Sequence, residues 1–233
     1  MKFRSLLPGW LSAGFVGAIK PLMDGLVRRR VHPNVITTLG FLVTVGAGLC
    51  FFFGHMGWGG FLVLLGGVFD ILDGYVARGT GLASAFGSFY DSTLDRVSEI
   101  VVFLGLFSLY GGGTPDLGEP WMVYVVALAL GGSLMVSYTR ARAEALGLDC
   151  KVGMMQRPER VVLLGLAGLL GTRWNGVVLT WVLVVMAALT NLTAFQRIVW
   201  VYRHTRGGGP QPGPNAAPAD FTPTPVNEVK ATS

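Results

Sequence analysis

Residues Val35 to Gly54 form a run of 20 residues without a single charge. About 20 mostly apolar residues are what a helix needs to cross the hydrocarbon core of a bilayer. Five further runs follow at similar spacing. Phe61 to Val76 is broken only by Asp70 and Asp73. Ser84 to Tyr110 is polar in its first half and apolar in its second. Trp121 to Tyr138 is followed by the charged stretch Arg140 to Glu144. Val161 to Gly171 is short unless extended back through Arg160 and Glu159. Val177 to Ala194 is the last. The fold class expected from this pattern is an all-α integral membrane protein with six transmembrane helices.

Composition supports it. Hydrophobic residues make up 52% of the 233 and charged residues only 13%, about half the 25% typical of soluble domains. This rules out a largely disordered chain and argues against a soluble globular domain. The net charge of +5 therefore points to a lipid bilayer as the partner surface and not to nucleic acid. Cys50 and Cys150 cannot build a disulfide framework or a thiolate metal site. His32, His55 and His204 have no ligand spacing.

The turn-rich segments Gly57–Gly60, Gly111–Pro120 and Thr172–Gly176 read as breaks between helices. Of the 18 Lys and Arg residues, only Arg173 falls in one of them. By the positive-inside rule the basic side is cytoplasmic, so both termini of this multi-pass cell-membrane protein are expected inside. Residues 1–33 form a separate segment, expected as an amphipathic helix on the cytoplasmic surface and anchored by Arg28, Arg29 and Arg30. Its apolar stretch Leu11–Ile19 is too short, and too soon followed by arginines, to read as a cleaved signal. Residues 34–206 form the six-helix catalytic domain. The tail 207–233, rich in Gly, Pro, Ala and Thr, is expected to be disordered.

The informative residues are the acids inside spans two and three. An ionisable group within a span costs several kcal/mol and normally faces a polar cavity with a function. Asp70 and Asp73 are three residues apart, Asp91 and Asp95 four, so each pair shares one helix face. A short connection makes the two helices antiparallel neighbours, and all four acids then converge near the cytoplasmic end. Converging carboxylates repel unless cations lie between them. Oxygen-only ligands suit Mg²⁺ or Mn²⁺. Gly74 and Gly87 leave room for metals and a ligand, and Arg78 can hold a phosphate oxygen. Pairing of the acids with Arg78 and Arg96 would account for fewer carboxylates than are present. An ion path through a transporter or channel is the reading from another class.

Taken together the residues spell Asp70-x2-Asp73-Gly74-x2-Ala77-Arg78-x8-Gly87-x3-Asp91-x3-Asp95, eight fixed positions over 26 residues. This resembles, without a departure, the motif of the CDP-alcohol phosphotransferase family (CDP-alcohol phosphatidyltransferases), and the resemblance extends over about residues 30 to 200. It implies a six-helix membrane enzyme, usually a homodimer, that passes the phosphatidyl group of CDP-diacylglycerol to an alcohol acceptor and releases CMP. It further implies that Asp70, Asp73, Asp91 and Asp95 hold two Mg²⁺ or Mn²⁺ ions, with Asp95 as the general base. Gly74, Ala77, Arg78 and Gly87 would receive the CDP moiety, with the active site on the cytoplasmic side. Asn34, in Pro33-Asn34-Val35-Ile36-Thr37, reads equally as a nucleotide neighbour and as the N-cap of the first span.

A second cluster concerns the acceptor. Arg140 and Arg142 end span four, and Arg157 and Arg160 open span five, all near the cytoplasmic surface. Arginine grips phosphate with several donors at once, so the four are candidate ligands of an acceptor phosphate. A phosphorylated acceptor favours inositol phosphate or glycerol phosphate over serine, choline or ethanolamine. The segments Tyr138–Glu144 and Arg157–Arg160 resemble the phosphatidylinositol phosphate synthase branch of the family, with Arg140 standing where that branch typically has Lys. The phosphatidylglycerophosphate synthase branch is the alternative. The paired glycines Gly66-Gly67 and Gly131-Gly132 are expected at helix contacts.

Overall fold

The computed structural model describes residues 9–113 and 119–206, and every regular element among them is helical. The tail expected to be disordered lies outside the described residues. Seven α-helices follow in order: α1 (Gly9–Arg28), α2 (Pro33–Phe52), α3 (Met56–Thr80), α4 (Ala85–Ser108), α5 (Pro120–Ala145), α6 (Arg157–Gly171) and α7 (Val177–Thr205). A π-helical turn over Leu109–Gly113 finishes α4. Helices α2 to α7 correspond one by one to the six apolar runs. Four of them, α2, α3, α5 and α7, are long and apolar enough to cross a membrane. Helix α4 carries the acids, and α6 has 15 residues, about 22 Å at 1.5 Å per residue, short of the roughly 30 Å of a bilayer core.

The six helices close into a ring. Helix α2 packs on α3 and α4, α3 on α6, α6 on α7, α7 on α5, and α5 on α4. Small residues let the backbones approach. A Cβ on Gly60 would stand 2.5 Å from both the Gly165 carbonyl oxygen and the Leu169 nitrogen, where α3 crosses α6. A Cβ on Gly48 of α2 would stand 2.7 Å from the Val101 carbonyl oxygen of α4. Without water to drive helices together, close van der Waals packing of this kind holds a membrane bundle. Gly66, Gly67 and Gly132 also lie at helix contacts as expected, against Thr44, Val161 and Thr190, whereas Gly131 faces open space.

The apolar core fills the half of the ring away from the acids. Phe51, Phe103, Leu106, Met122, Val126, Leu179, Leu183 and Met186 meet there, and Tyr110 shares a hydrogen bond with Thr180 at 3.0 Å. Outside the ring, α1 lays Met23 and its neighbours on Leu72 and Val76 of α3 and Ile36 of α2. The Tyr75 hydroxyl donates to Asp24 Oδ1 at 2.7 Å across that contact. On α1's other side Lys20, Pro21, Leu22 and Arg28 are exposed, so the helix is two-faced.

Two local expectations are corrected. Gly57–Gly60 is not a break, since α3 begins at Met56 and runs through it. The turn lies at Phe53–His55, with Gly54 at φ 81°. Of the glycines that look like helix breakers, Gly60 brings α3 against α6, Gly57 meets Thr172 just beyond α6, and Gly59 packs on Phe51 of α2. The N-cap of α2 is His32, whose Nδ1 accepts from the Asn34 N–H at 3.2 Å with Pro33 in the first turn, and not Asn34.

The crossing makes a testable claim. Gly60→Ala should destabilise the bundle by about 1–3 kcal/mol through overpacking. Gly131→Ala, which meets nothing within 4 Å, should be neutral or stabilising by up to about 1 kcal/mol from helix propensity. Thermal unfolding of both variants in detergent checks the contrast.

Candidate active site

The site is assembled by the ends of three helices on the side of the ring opposite the core. Helix α4 starts at Ser84, whose Oγ accepts from the Gly87 N–H at 3.0 Å. That cap fixes the phase of the helix, which then presents Asp91 and Asp95 one turn apart toward α3. Carboxylate oxygens of Asp70, Asp91 and Asp95 all lie within 4.8 Å of one another. Three hard oxygen donors that close to one another could hold a divalent cation such as Mg²⁺ or Mn²⁺.

The fourth acid of the motif stands apart. Asp73 is buried, and its Oδ2 accepts from the Thr37 hydroxyl at 2.8 Å. Thr37 is itself buried on α2, two positions after the Val35 that opens the first apolar run. Next to it, Thr38 shares a 3.0 Å hydrogen bond with Tyr90 of α4. The first turns of α2 therefore brace α3 and α4 behind the acids.

The donor candidates sit on the same side. Gly87 faces Asn34, whose Oδ1 is 3.3 Å from where a Cβ would stand, so a side chain would fill a space between α2 and α4. A Cβ on Gly74 would stand 3.4 Å from Arg78 Nη1. Arg78 is exposed, Ala77 half-buried.

The four arginines proposed for an acceptor phosphate are distributed differently from one another. Arg157 enters the acid cluster, with Nη1 2.6 Å from Asp70 Oδ2 and Nη2 2.5 Å from Asp95 Oδ1. Arg160, one turn on, is buried and pairs with Glu99 of α4, with Nε 3.0 Å and Nη2 3.5 Å from the two carboxylate oxygens. Arg140 and Arg142 are exposed at the end of α5, the former paired with Glu144 at 2.8 Å. The sequence signal did not anticipate that half of the cluster is held by acids of α3 and α4.

A cavity of about 50 Å³ opens beneath the acids, lined by Asp70, Asp95, Ser98, Glu99, Arg157 and Arg160, with Thr44, Phe103 and Met186 deeper in the ring. Two residues were missed in the sequence, Glu99 in the lining of the cavity and Arg197 outside it. Glu99 is four residues beyond Asp95, the spacing that keeps it on the same helix face, and that spacing could have revealed it. Arg197 lies beyond the sixth apolar run, in the extension of α7 to Thr205. It is almost fully buried and donates to the backbone carbonyls of Val136 on α5 and Val152 in the segment before α6. Its charged surroundings include Arg140 and Arg160.

A membrane bundle carrying a three-carboxylate cluster with arginines on one wall defines a class, and family comparison agrees with it. Residues 30–201 match the CDP-alcohol phosphatidyltransferase family, so the chain belongs to that family and is a multi-pass membrane transferase. It is 36% identical over 193 residues to archaetidylinositol phosphate synthase of Methanothermobacter thermautotrophicus, covering 82% of this chain and 94% of that one. It is 36% identical over 184 residues to phosphatidylinositol phosphate synthase of Mycobacteroides abscessus, covering 76% and 81%. The crystal structure of Mycobacterium tuberculosis phosphatidylinositol phosphate synthase with CDP-DAG bound superposes with a TM-score of 0.71 at 31% identity, over 78% of this chain and 92% of that one. A second structure of that enzyme, in complex with manganese and citrate, gives the same TM-score at 32% identity.

The buried pair behind Asp73 yields a prediction. Thr37→Val removes a donor from a buried carboxylate and should cost about 1–3 kcal/mol, while Thr37→Ser should retain most of the stability. Thermal unfolding of the two variants side by side reads the difference.

Proposed function

We propose that this protein transfers the phosphatidyl group of CDP-diacylglycerol to the hydroxyl of inositol 1-phosphate and releases CMP. The observation that carries the reading is the convergence of Asp70, Asp91 and Asp95 within 4.8 Å beside the arginines of α6. The similarity to archaetidylinositol phosphate and phosphatidylinositol phosphate synthases favours that acceptor. Membership of a transferase family weighs against the ion-path reading of the acids.

Asp70, Asp73, Asp91 and Asp95 are the residues that would hold Mg²⁺ or Mn²⁺, two ions in all. When bound, such ions offset the charge of the donor diphosphate and polarise the phosphorus to be attacked. Gly74, Ala77 and Gly87 make room for the cytidine and ribose, and Arg78 faces the diphosphate with its guanidinium exposed. Asp95 accepts the proton of the acceptor hydroxyl. The hydroxyl oxygen bonds to the phosphorus that bears the diacylglycerol, the bond from that phosphorus to the CMP oxygen breaks, and CMP leaves with the electron pair. Arg140, Arg142 and Arg157 receive the acceptor phosphate; Arg160, the fourth arginine of the cluster, stays on Glu99 and adds positive potential beside them, as does the buried Arg197.

The working unit is residues 34–206 with six membrane-crossing helices, and in the segment 1–33, of which residues 1–8 lie outside the described residues, α1 lies along the cytoplasmic leaflet. The exposed Lys20 and Arg28 on one side of α1 support that placement. Both termini and the site face the cytoplasm, as the distribution of basic residues favours, and the enzyme acts as a homodimer in line with the family resemblance.

CMP release by purified protein with CDP-diacylglycerol tests the reading, with inositol 1-phosphate, sn-glycerol 3-phosphate, free inositol and serine compared. Inositol 1-phosphate should be the best acceptor and EDTA should abolish release. Efficient use of serine or free inositol would remove the acceptor assignment. Asp95→Asn should keep donor binding and lose roughly 10²-fold or more in rate, the scale of a general base; near-normal turnover would take Asp95 out of the mechanism.

A further inference from the structure

Two arginines one turn apart on α6 are held in opposite ways. Arg160 is 3% exposed at its side chain and committed to Glu99, with its Nη1 also donating to the Met155 carbonyl oxygen. That pair pins the start of α6 to α4. Arg157 is 31% exposed and bridges Asp70 to Asp95, two of the three acids whose oxygens cluster. The third, Asp91, makes no salt bridge among the described residues. A guanidinium lodged between two carboxylates meets the same electrostatic demand as a divalent cation, and both cannot hold the same oxygens. With α6 fixed by Arg160, the long Arg157 side chain can leave the acids without moving the helix.

We propose that Arg157 is a built-in competitor for the cation site: it neutralises Asp70 and Asp95 until a divalent cation takes their oxygens, and the released guanidinium then turns to the phosphate of the acceptor. The first half stands on geometry alone. The second half rests on the reading of the acceptor given above. The consequence is an order of events, because the acceptor phosphate gains Arg157 as a ligand only after the acids have exchanged theirs. An acceptor arriving early meets Arg140 and Arg142 alone, without the one arginine that stands beside Asp95.

The test reads metal binding without turnover. Mn²⁺ titrations of the full chain in nanodiscs, followed by electron paramagnetic resonance, compare the unmutated protein with Arg157→Gln and Arg157→Lys. Removing a competing cation should tighten Mn²⁺ binding about tenfold in Arg157→Gln. Arg157→Lys, whose single ammonium cannot span both carboxylates as a guanidinium does, should tighten it by a smaller factor. It also guards against misfolding of the neutral variant. Mn²⁺ affinity unchanged or weakened in both variants overturns the proposal. In the same preparations the KM for inositol 1-phosphate should rise at least tenfold in Arg157→Gln. Tighter Mn²⁺ with an unaltered acceptor KM would overturn the transfer of Arg157 to phosphate while leaving the competition in place. If the unmutated enzyme accepts no phosphorylated alcohol, the acceptor panel reports the failure of that reading separately from the Mn²⁺ result.

Discussion

Charges set among apolar helices have to be compensated by their neighbours, because the surroundings solvate them poorly. The arrangement of this bundle follows from that demand. Asp70, Asp95 and Glu99 are matched by Arg157 and Arg160, and the buried Arg160–Glu99 pair joins α4 to α6, a helix too short to be held by apolar contact along a full bilayer thickness. Breaking one partner of a buried pair is costly, on the order of 3–5 kcal/mol. A charge pair beside the acids thus holds the ring closed on its polar side. The apolar core around Phe51, Phe103 and Met186 closes it on the other.

The two halves use different adhesives. Away from the acids, backbones come within contact distance at Gly48, Gly60, Gly105 and Gly168, and packing is dense. Around the acids, hydrogen-bonded side chains separate the helices and leave the cavity between them. A transferase of this kind needs a rigid frame and a hydrated interior in one small bundle, and this division supplies both.

Much of this was legible in the sequence, for reasons that differ by residue. The helices were visible because long uncharged runs permit few alternatives, and Asp70, Asp91 and Asp95 because an acid in such a run demands a reason. Glycines were ambiguous. Gly57–Gly60 looked like a break because glycine is a poor helix former, but partners 100 residues away on α6 make a missing side chain an advantage there. His32 capping α2 in place of Asn34 is a choice between adjacent polar residues that local pattern does not rank. The pairings of Asp73 with Thr37, Arg160 with Glu99 and Arg157 with two acids all cross between helices, and single-chain spacing carries no information about them. Arg197 was passed over because it falls after the last apolar run, where a basic residue looks like ordinary surface charge.

Arg197 fastens α5 and the segment before α6 by donating to the carbonyl oxygens of Val136 and Val152. Every amino acid offers that oxygen. The clasp itself therefore places no demand on the side chains at positions 136 and 152, although burial limits what fits at 136. Related sequences can look unalike on either side of it and still hold the same joint, so a comparison of side chains alone would undervalue this corner of the molecule.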